Sequence, residues 1–381
     1  MAVPMPLSIG FLSTYPPTQC GLATFTSALR AQLAASGSRC GVVRVVDRPE
    51  TSTDGGVDVV DHLVPGAVAA QANAATALNE FDVVIVQHEF GIYGGADGDE
   101  VLDLLDRLTA AVIVVAHTVP GGPTRHQRDV LESVARRADA VVTMTMTARR
   151  RLVDSYDVEE AKVVVIPHGA THSQSIAPQI PVGPATILTW GLLGPGKGIE
   201  SVIEVLPSLR GLDRQPVYRV VGQTHPRVLE REGEAYRGRL VVRAAALGVA
   251  DLVIFESSYL DLVSLHRVVA QADVVVLPYE SKDQATSGVL TEAVAAGKPV
   301  VATAFPHAVE LLDKGVGLVV PHGDSNALAR ALRRVLVEPG LAASMAAPSS
   351  LVAGQLRWSS VAARYRELAG SLLAVDATVA A

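Results

Sequence analysis

Two stretches in the second half of the chain hold residues that could bind an anion. The first, Pro278 to Thr303, reads PYESKDQATSGVLTEAVAAGKPVVAT. The apolar strand ADVVVLP leads into it. A polar loop then ends in Thr286-Ser287-Gly288, and a short helix carrying Glu292 follows. A polar, glycine-containing loop before a helix exposes backbone N–H groups and the positive end of the helix dipole, which suits an anionic ligand such as a diphosphate. Glu292 falls one turn further on, where it would accept hydrogen bonds from sugar hydroxyls instead. The plain alternative is a strand–loop–helix crossover with a surface carboxylate. The second stretch is Gly191-Leu-Leu-Gly-Pro-Gly196-Lys197-Gly198. It fits the G-x-x-x-x-G-K of a P-loop, but Gly198 stands where Ser or Thr would hold Mg²⁺. The missing hydroxyl argues against an ATPase. Lys197 is then either a cation held over an anion or a solvated lysine in a tight turn.

The first half offers weaker signals. Thr18-Gln-Cys-Gly-Leu-Ala-Thr24 follows the first strand and leads into a helix with one glycine, Gly21, at the turn. Its place at the carboxyl end of a strand matters more than the glycine, because open parallel sheets bind ligands there. Gln87-His88-Glu89-Phe90-Gly91 ends another strand and lacks the second histidine of HExxH, which excludes a zinc-protease motif. His117 and His168 end two further strands. Three histidines at the carboxyl ends of three strands, His88, His117 and His168, suggest a polar cleft wall with Glu89 beside the first, although any one alone is more often structural. A neutral imidazole could hydrogen-bond a sugar hydroxyl or donate near a developing charge. No close-spaced ligand set suggests a metal. Asp97-Gly98-Asp99 has the look of a DxD metal–nucleotide signature, yet an acidic start to a helix is the simpler account. Arg149-Arg150-Arg151 reads as a solvated helix face, with at most peripheral attraction to anionic lipid.

These residues need a scaffold that brings strand ends together. Short β-branched runs alternate with helical patterns along the whole chain. Six candidate strands, at 7–12, 41–46, 81–87, 111–117, 140–144 and 162–167, form one series. Six more, at 186–191, 217–222, 252–257, 273–278, 299–303 and 317–321, form a second. Such alternation predicts an α/β fold with parallel sheets and right-handed crossovers. Twelve strands exceed one comfortable sheet, and SQSIAPQIPVGPA at 173–185 marks the break. The expectation is two facing Rossmann-like domains, 1–175 and 185–357, with a central cleft and no obvious sequence repeat. An amphipathic pattern at 358–375 predicts a C-terminal helix that could either cross back onto the first domain (358–381 packed on 1–175) or simply complete the second, and DATVAA reads as a frayed tail.

Bulk properties narrow the function further. With 381 residues, 49% hydrophobic and only 4% aromatic, the core must be built from Ala, Val, Leu and Ile. That suits buried parallel strands. A net charge of −7 gives no support to nucleic-acid binding. Cys20 and Cys40 form no CxxC pair, MAVPMPLSIGFLS lacks the basic region and long apolar run of a leader, and no apolar run approaches a membrane span. A cytoplasmic location is expected.

Taken in order, the Gly21 loop, QHEFG, HTV at 117–119, IPHG at 166–169, GLLGPGKG and SGVLTEAVAAGKPVVAT resemble a retaining GT-B glycosyltransferase of family 4, over nearly the whole chain. The resemblance implies a nucleotide sugar held mainly by the C-terminal domain, an acceptor held mainly by the N-terminal one, and no bound metal or other cofactor. By the same resemblance Lys197 and the N–H groups near Ser287, Gly288 and Val289 contact the diphosphate, with Gly191 opening the loop. Glu292 takes the ribose hydroxyls, His117 lies near the transferred sugar, and Gly21 admits the diphosphate. Two departures stand out. The family's upstream glutamate is Gln284 here, and the arginine that often follows the loop's first glycine is Leu192. Gln284 can hydrogen-bond a sugar but carries no charge. The expected activity is hexosyl transfer to a glycan or other hydroxyl acceptor, with GDP-mannose as first donor and UDP-glucose as second. The alternatives are an inactive or regulatory nucleotide-sugar binder and a P-loop NTPase.

Overall fold

The computed structural model describes residues 7–48, 56, 58–171, 183–313 and 315–379. The expected break at 173–185 lies largely outside the described residues, as do the last two residues of the tail. The chain forms two compact units: Met1–Gly169 with Trp358–Ala381, and Ala170–Arg357.

The first unit holds strands β1 (Ser8–Ser13), β2 (Arg39–Val45), β3 (Val59–Leu63), β4 (Val83–His88), β5 (Ala111–Ala116), β6 (Ala140–Thr143) and β7 (Val163–Val165). They pair in parallel in the order β3-β2-β1-β4-β5-β6-β7. Val83 to Val86 are wholly buried, as a central parallel strand covered on both faces requires. Strand β3 has no counterpart among the twelve expected runs. It reads VVDHL, lies at the sheet edge and pairs with β2 across a register shift at Val42/Val43. An edge strand needs no apolar run, so its polar residues hide it.

The second unit repeats the plan with β8 (Ala185–Trp190), β9 (Pro216–Val221), β10 (Val253–Glu256), β11 (Val274–Leu277), β12 (Val300–Thr303) and β13 (Gly317–Val320). These strands are again parallel, in the order β10-β9-β8-β11-β12-β13.

The helix Trp358–Val379 follows the second unit in sequence but belongs to the first. Trp358, Val361, Tyr365 and Ala369 are buried at helical spacing in one cluster with Phe25, Leu29 and Leu33. Trp358 meets Phe25 edge-on, with ring centroids 4.9 Å apart. Arg366 adds a hydrogen bond to the Ser36 carbonyl oxygen at 3.3 Å. No single described helix is long and apolar enough to cross a membrane.

Candidate functional site

In each sheet the strand order reverses beside the first strand: between β1 and β4 in one unit, and between β8 and β11 in the other. Loops leaving the carboxyl ends of such strands diverge and open a crevice for a ligand. The glycine-bearing stretches lie at these two places.

In the second unit the loops after β8 and β11 are joined by a hydrogen bond from the Glu280 N–H to the Gly196 carbonyl oxygen, 2.9 Å. Gly198 caps the helix Ile199–Val205 with φ 66°. A Cβ there would stand 1.8 Å from the Pro278 carbonyl oxygen. The close approach of the two loops therefore excludes the Ser or Thr of a P-loop. Lys197 places its Nζ 4.4 Å from the Tyr279 ring centroid, and Tyr279 is buried and stacked on Phe305 at 5.1 Å. The ammonium rests on an aromatic face, and no ion pair engages it among the described residues. Gly191, at φ 118°, lies beside the first turn of the helix Gly288–Ala295, since a Cβ on it would be 3.7 Å from Val289 Cγ2.

The helix Gly288–Ala295 begins at Ser287, whose Oγ accepts from the Leu290 N–H at 3.2 Å. The Ser287 N–H donates to His307 Nδ1 at 2.8 Å. This corrects the expectation that Ser287 offers its N–H to a phosphate. The Gly288 and Val289 N–H groups have no partner among the described residues, and they form the open first turn of the helix. Gln284 donates its amide to the Thr286 carbonyl oxygen at 3.1 Å, leaving its own oxygen as an acceptor. Both Glu292 oxygens face the Thr171 N–H, at 3.1 and 3.2 Å. Burial pushes the Glu292 carboxyl up to about 7, against the pull of that N–H.

In the first unit Gly21 opens the helix Gly21–Ala35, capped by Cys20, whose Sγ accepts from the Ala23 N–H at 3.4 Å. Gly21 is exposed, and a Cβ there would meet nothing within 4 Å. Nothing in its own unit demands glycine. His117 donates Nε2–H to Gln87 Oε1 at 2.6 Å, which leaves Nδ1 as an acceptor. Burial, then His168 and His88, hold it down to about 3, so the ring is neutral. His168 donates from Nδ1 to the Gly169 carbonyl oxygen at 2.6 Å and is held down to about 4 by burial. Both rings lie edge-on to Phe25, each 5.0 Å between centroids.

His88 departs from the expected wall. It is fully buried, neither ring nitrogen has a hydrogen-bond partner among the described residues, and burial lowers it to about 4. It lies under the strand end instead of lining a surface. Glu89 accepts from the Thr118 hydroxyl at 2.6 Å and steadies the loop after β5.

Sequence reasoning missed several partners. Gln87 orients His117 and was visible only as the first letter of QHEFG. Tyr279 and His307 reach their partners through the fold and left no sequence signal. His126 stands between Asp97 and Asp99, at 3.0 and 3.4 Å, so the DxD-like pair clamps one helix instead of merely starting another. Arg149 pairs with Glu160 at 2.8 Å and Arg151 holds the Val119 carbonyl oxygen at 3.2 Å, so this cluster is structural as well as solvated. Among the described residues no group of three or more His, Cys, Asp or Glu gathers as metal ligands.

Comparison with known proteins gives two family matches in tandem: Glycosyltransferase Family 4 over residues 20–174, and Glycosyl transferases group 1 over 172–349. The chain is similar to the D-inositol 3-phosphate glycosyltransferase of Salinispora arenicola, 28% identical over 265 residues, covering 64% of this chain and 57% of that one. The enzyme of the same name from Actinosynnema mirum is 31% identical over 238 residues, covering 56% and 53%. The chain thus spans little more than half the length of these relatives. Among solved structures, a glycosyltransferase from Rickettsia africae is 16% identical, with TM-score 0.75 and coverage of 97% and 99%. Anabaena Alr3699/HepE in complex with UDP and glucose is 16% identical, with TM-score 0.75 and coverage of 96% and 100%. These structures share the GT-B fold of two parallel-sheet α/β domains.

Proposed function

We propose that this chain, whose two halves match the Glycosyltransferase Family 4 and Glycosyl transferases group 1 models in tandem, transfers a glycosyl group from a nucleoside diphosphate sugar to a hydroxyl acceptor with retention of configuration. One observation carries the reading. Two loops tied together at the reversal point of the second sheet present the Lys197 ammonium and the open Gly288 and Val289 N–H groups.

The chemistry follows from that charge. The bond from the anomeric carbon to the diphosphate breaks, and negative charge grows on the departing phosphate. Lys197, the two N–H groups and the helix dipole stabilise it, the kind of preorganised electrostatics that contributes most to such steps. The acceptor oxygen bonds to the same face of the anomeric carbon, and its proton passes to the departing phosphate oxygen. Glu292, once ionised, accepts from the ribose hydroxyls. Gln284 offers its amide oxygen to the sugar. His117 is neutral and accepts a sugar hydroxyl at Nδ1, so it acts by hydrogen bonding and not as a cation.

HepE is named in complex with UDP-glucose, and the sequence relatives are named for D-inositol 3-phosphate. Neither favours mannose, so UDP-glucose and GDP-mannose stand level as donors, with inositol 3-phosphate heading the acceptors. The free Cys20 and Cys40 support a reducing, cytoplasmic setting. A thermal-shift screen of UDP, GDP and ADP with their sugar conjugates tests the donor class. One nucleoside diphosphate is expected to raise the melting temperature by several degrees, since saturation at 100 times Kd adds about 2.7 kcal/mol. No shift with any of them would count against the reading.

A further inference from the structure

The turn at Ser287 is held in place from outside its own loop. His307 is buried in the helix Pro306–Leu312, which follows β12. It grips the loop after β11 at two points: its N–H donates to the Gln284 carbonyl oxygen at 3.3 Å, and its Nδ1 accepts from the Ser287 N–H at 2.8 Å. The second bond fixes the tautomer, with the ring proton on Nε2. It also decides which amides face outward. With the Ser287 N–H bound to the ring and the Leu290 N–H bound to Ser287 Oγ, the Gly288 and Val289 N–H groups are left between them. Phe305, two residues earlier, stacks on Tyr279, which in turn carries Lys197. One short segment after β12 therefore supports both halves of the anion site.

We propose that His307 is a positioning residue for the donor diphosphate, acting through the Ser287 N–H. This rests on the reading that the second unit binds a nucleoside diphosphate. Without the ring acceptor, the Ser287 amide is free to turn, and the Gly288–Val289 pair loses its fixed direction. The loss falls on the terminal phosphate and spares the nucleoside.

The test is calorimetric titration with UDP and GDP against UMP and GMP, on wild type, His307→Ala and His307→Asn. The Asn side-chain oxygen can stand near the position of Nδ1 and accept the same N–H. His307→Ala is expected to weaken diphosphate binding at least tenfold while monophosphate binding changes less than twofold. His307→Asn is expected to recover most of the loss, and it keeps the test open if the Ala variant fails to fold. Equal loss of mono- and diphosphate, unchanged diphosphate binding in His307→Ala, or no recovery in His307→Asn would overturn the role. Wild type binding neither diphosphate would instead sink the donor reading itself.

Discussion

In the role proposed for it, Glu292 is under two opposed demands. Burial raises its carboxyl to about 7 from an ordinary 4.5, while a ribose hydroxyl is best accepted by the ionised form. Between about 4.5 and about 7 the native chain keeps a proton that the unfolded chain has lost. The contribution of this group to stability therefore falls as pH rises through that window. Glu292→Gln removes the ionisation, so the variant should gain more melting temperature over wild type at pH 8 than at pH 5. Its affinity for the nucleotide should fall by about tenfold or more, the worth of a hydrogen bond to a charged group. Wild-type affinity should itself rise from pH 6 to pH 8, read by titration calorimetry. Gly21 makes the complementary case. Because a Cβ there meets nothing, Gly21→Ala should leave the melting temperature unchanged or slightly higher, yet weaken donor binding. Equal donor affinity in the variant would show that no ligand approaches that turn. Residue types at Lys197, Glu292 and the strand-end histidines were legible in sequence. The burial of His88 was not, because a histidine at a strand end reads the same whether it faces outward or lies under the loop.

The strands were legible as apolar runs because parallel strands covered on both faces must be apolar throughout. The exception, β3, mixes Asp61 and His62 into an edge position. The P-loop departure at Gly198 was legible as a missing Mg²⁺ ligand, but its cause was not. The Pro278 carbonyl that fills the space of a Cβ comes from a loop 80 residues away. Gly198→Ser should therefore cost about 2 kcal/mol or more, from the clash and the positive φ together. It should produce no ATP hydrolysis. A denaturant melt and a phosphate-release assay check both halves. A neutral effect on stability would mean that the two loops can part without cost.

Two parallel sheets without sequence repeat share one strand order over six strands, and the first adds a seventh at its edge. In each, the glycine-bearing loops leave the sheet at the same topological point, where the strand order reverses. The final helix was legible as an amphipathic pattern, but the unit it joins depends on Phe25, more than 300 residues earlier. Trp358→Ala should cost about 3–5 kcal/mol, as emptying a buried aromatic site does. Hydrogen exchange should show that cost as lost amide protection in β1 and the helix Gly21–Ala35, with β8 unchanged. The central claim is that Lys197 and its neighbouring amides stabilise a departing nucleoside diphosphate. The most direct measurement is acceptor-dependent release of diphosphate from UDP-glucose or GDP-mannose, with inositol 3-phosphate as first acceptor, in wild type and Lys197→Ala. We predict release that requires acceptor and falls about 10²–10³-fold in the variant. Donor turnover by Lys197→Ala at the wild-type rate would contradict the claim, and wild-type donor binding without transfer to any acceptor would favour a non-catalytic binder instead.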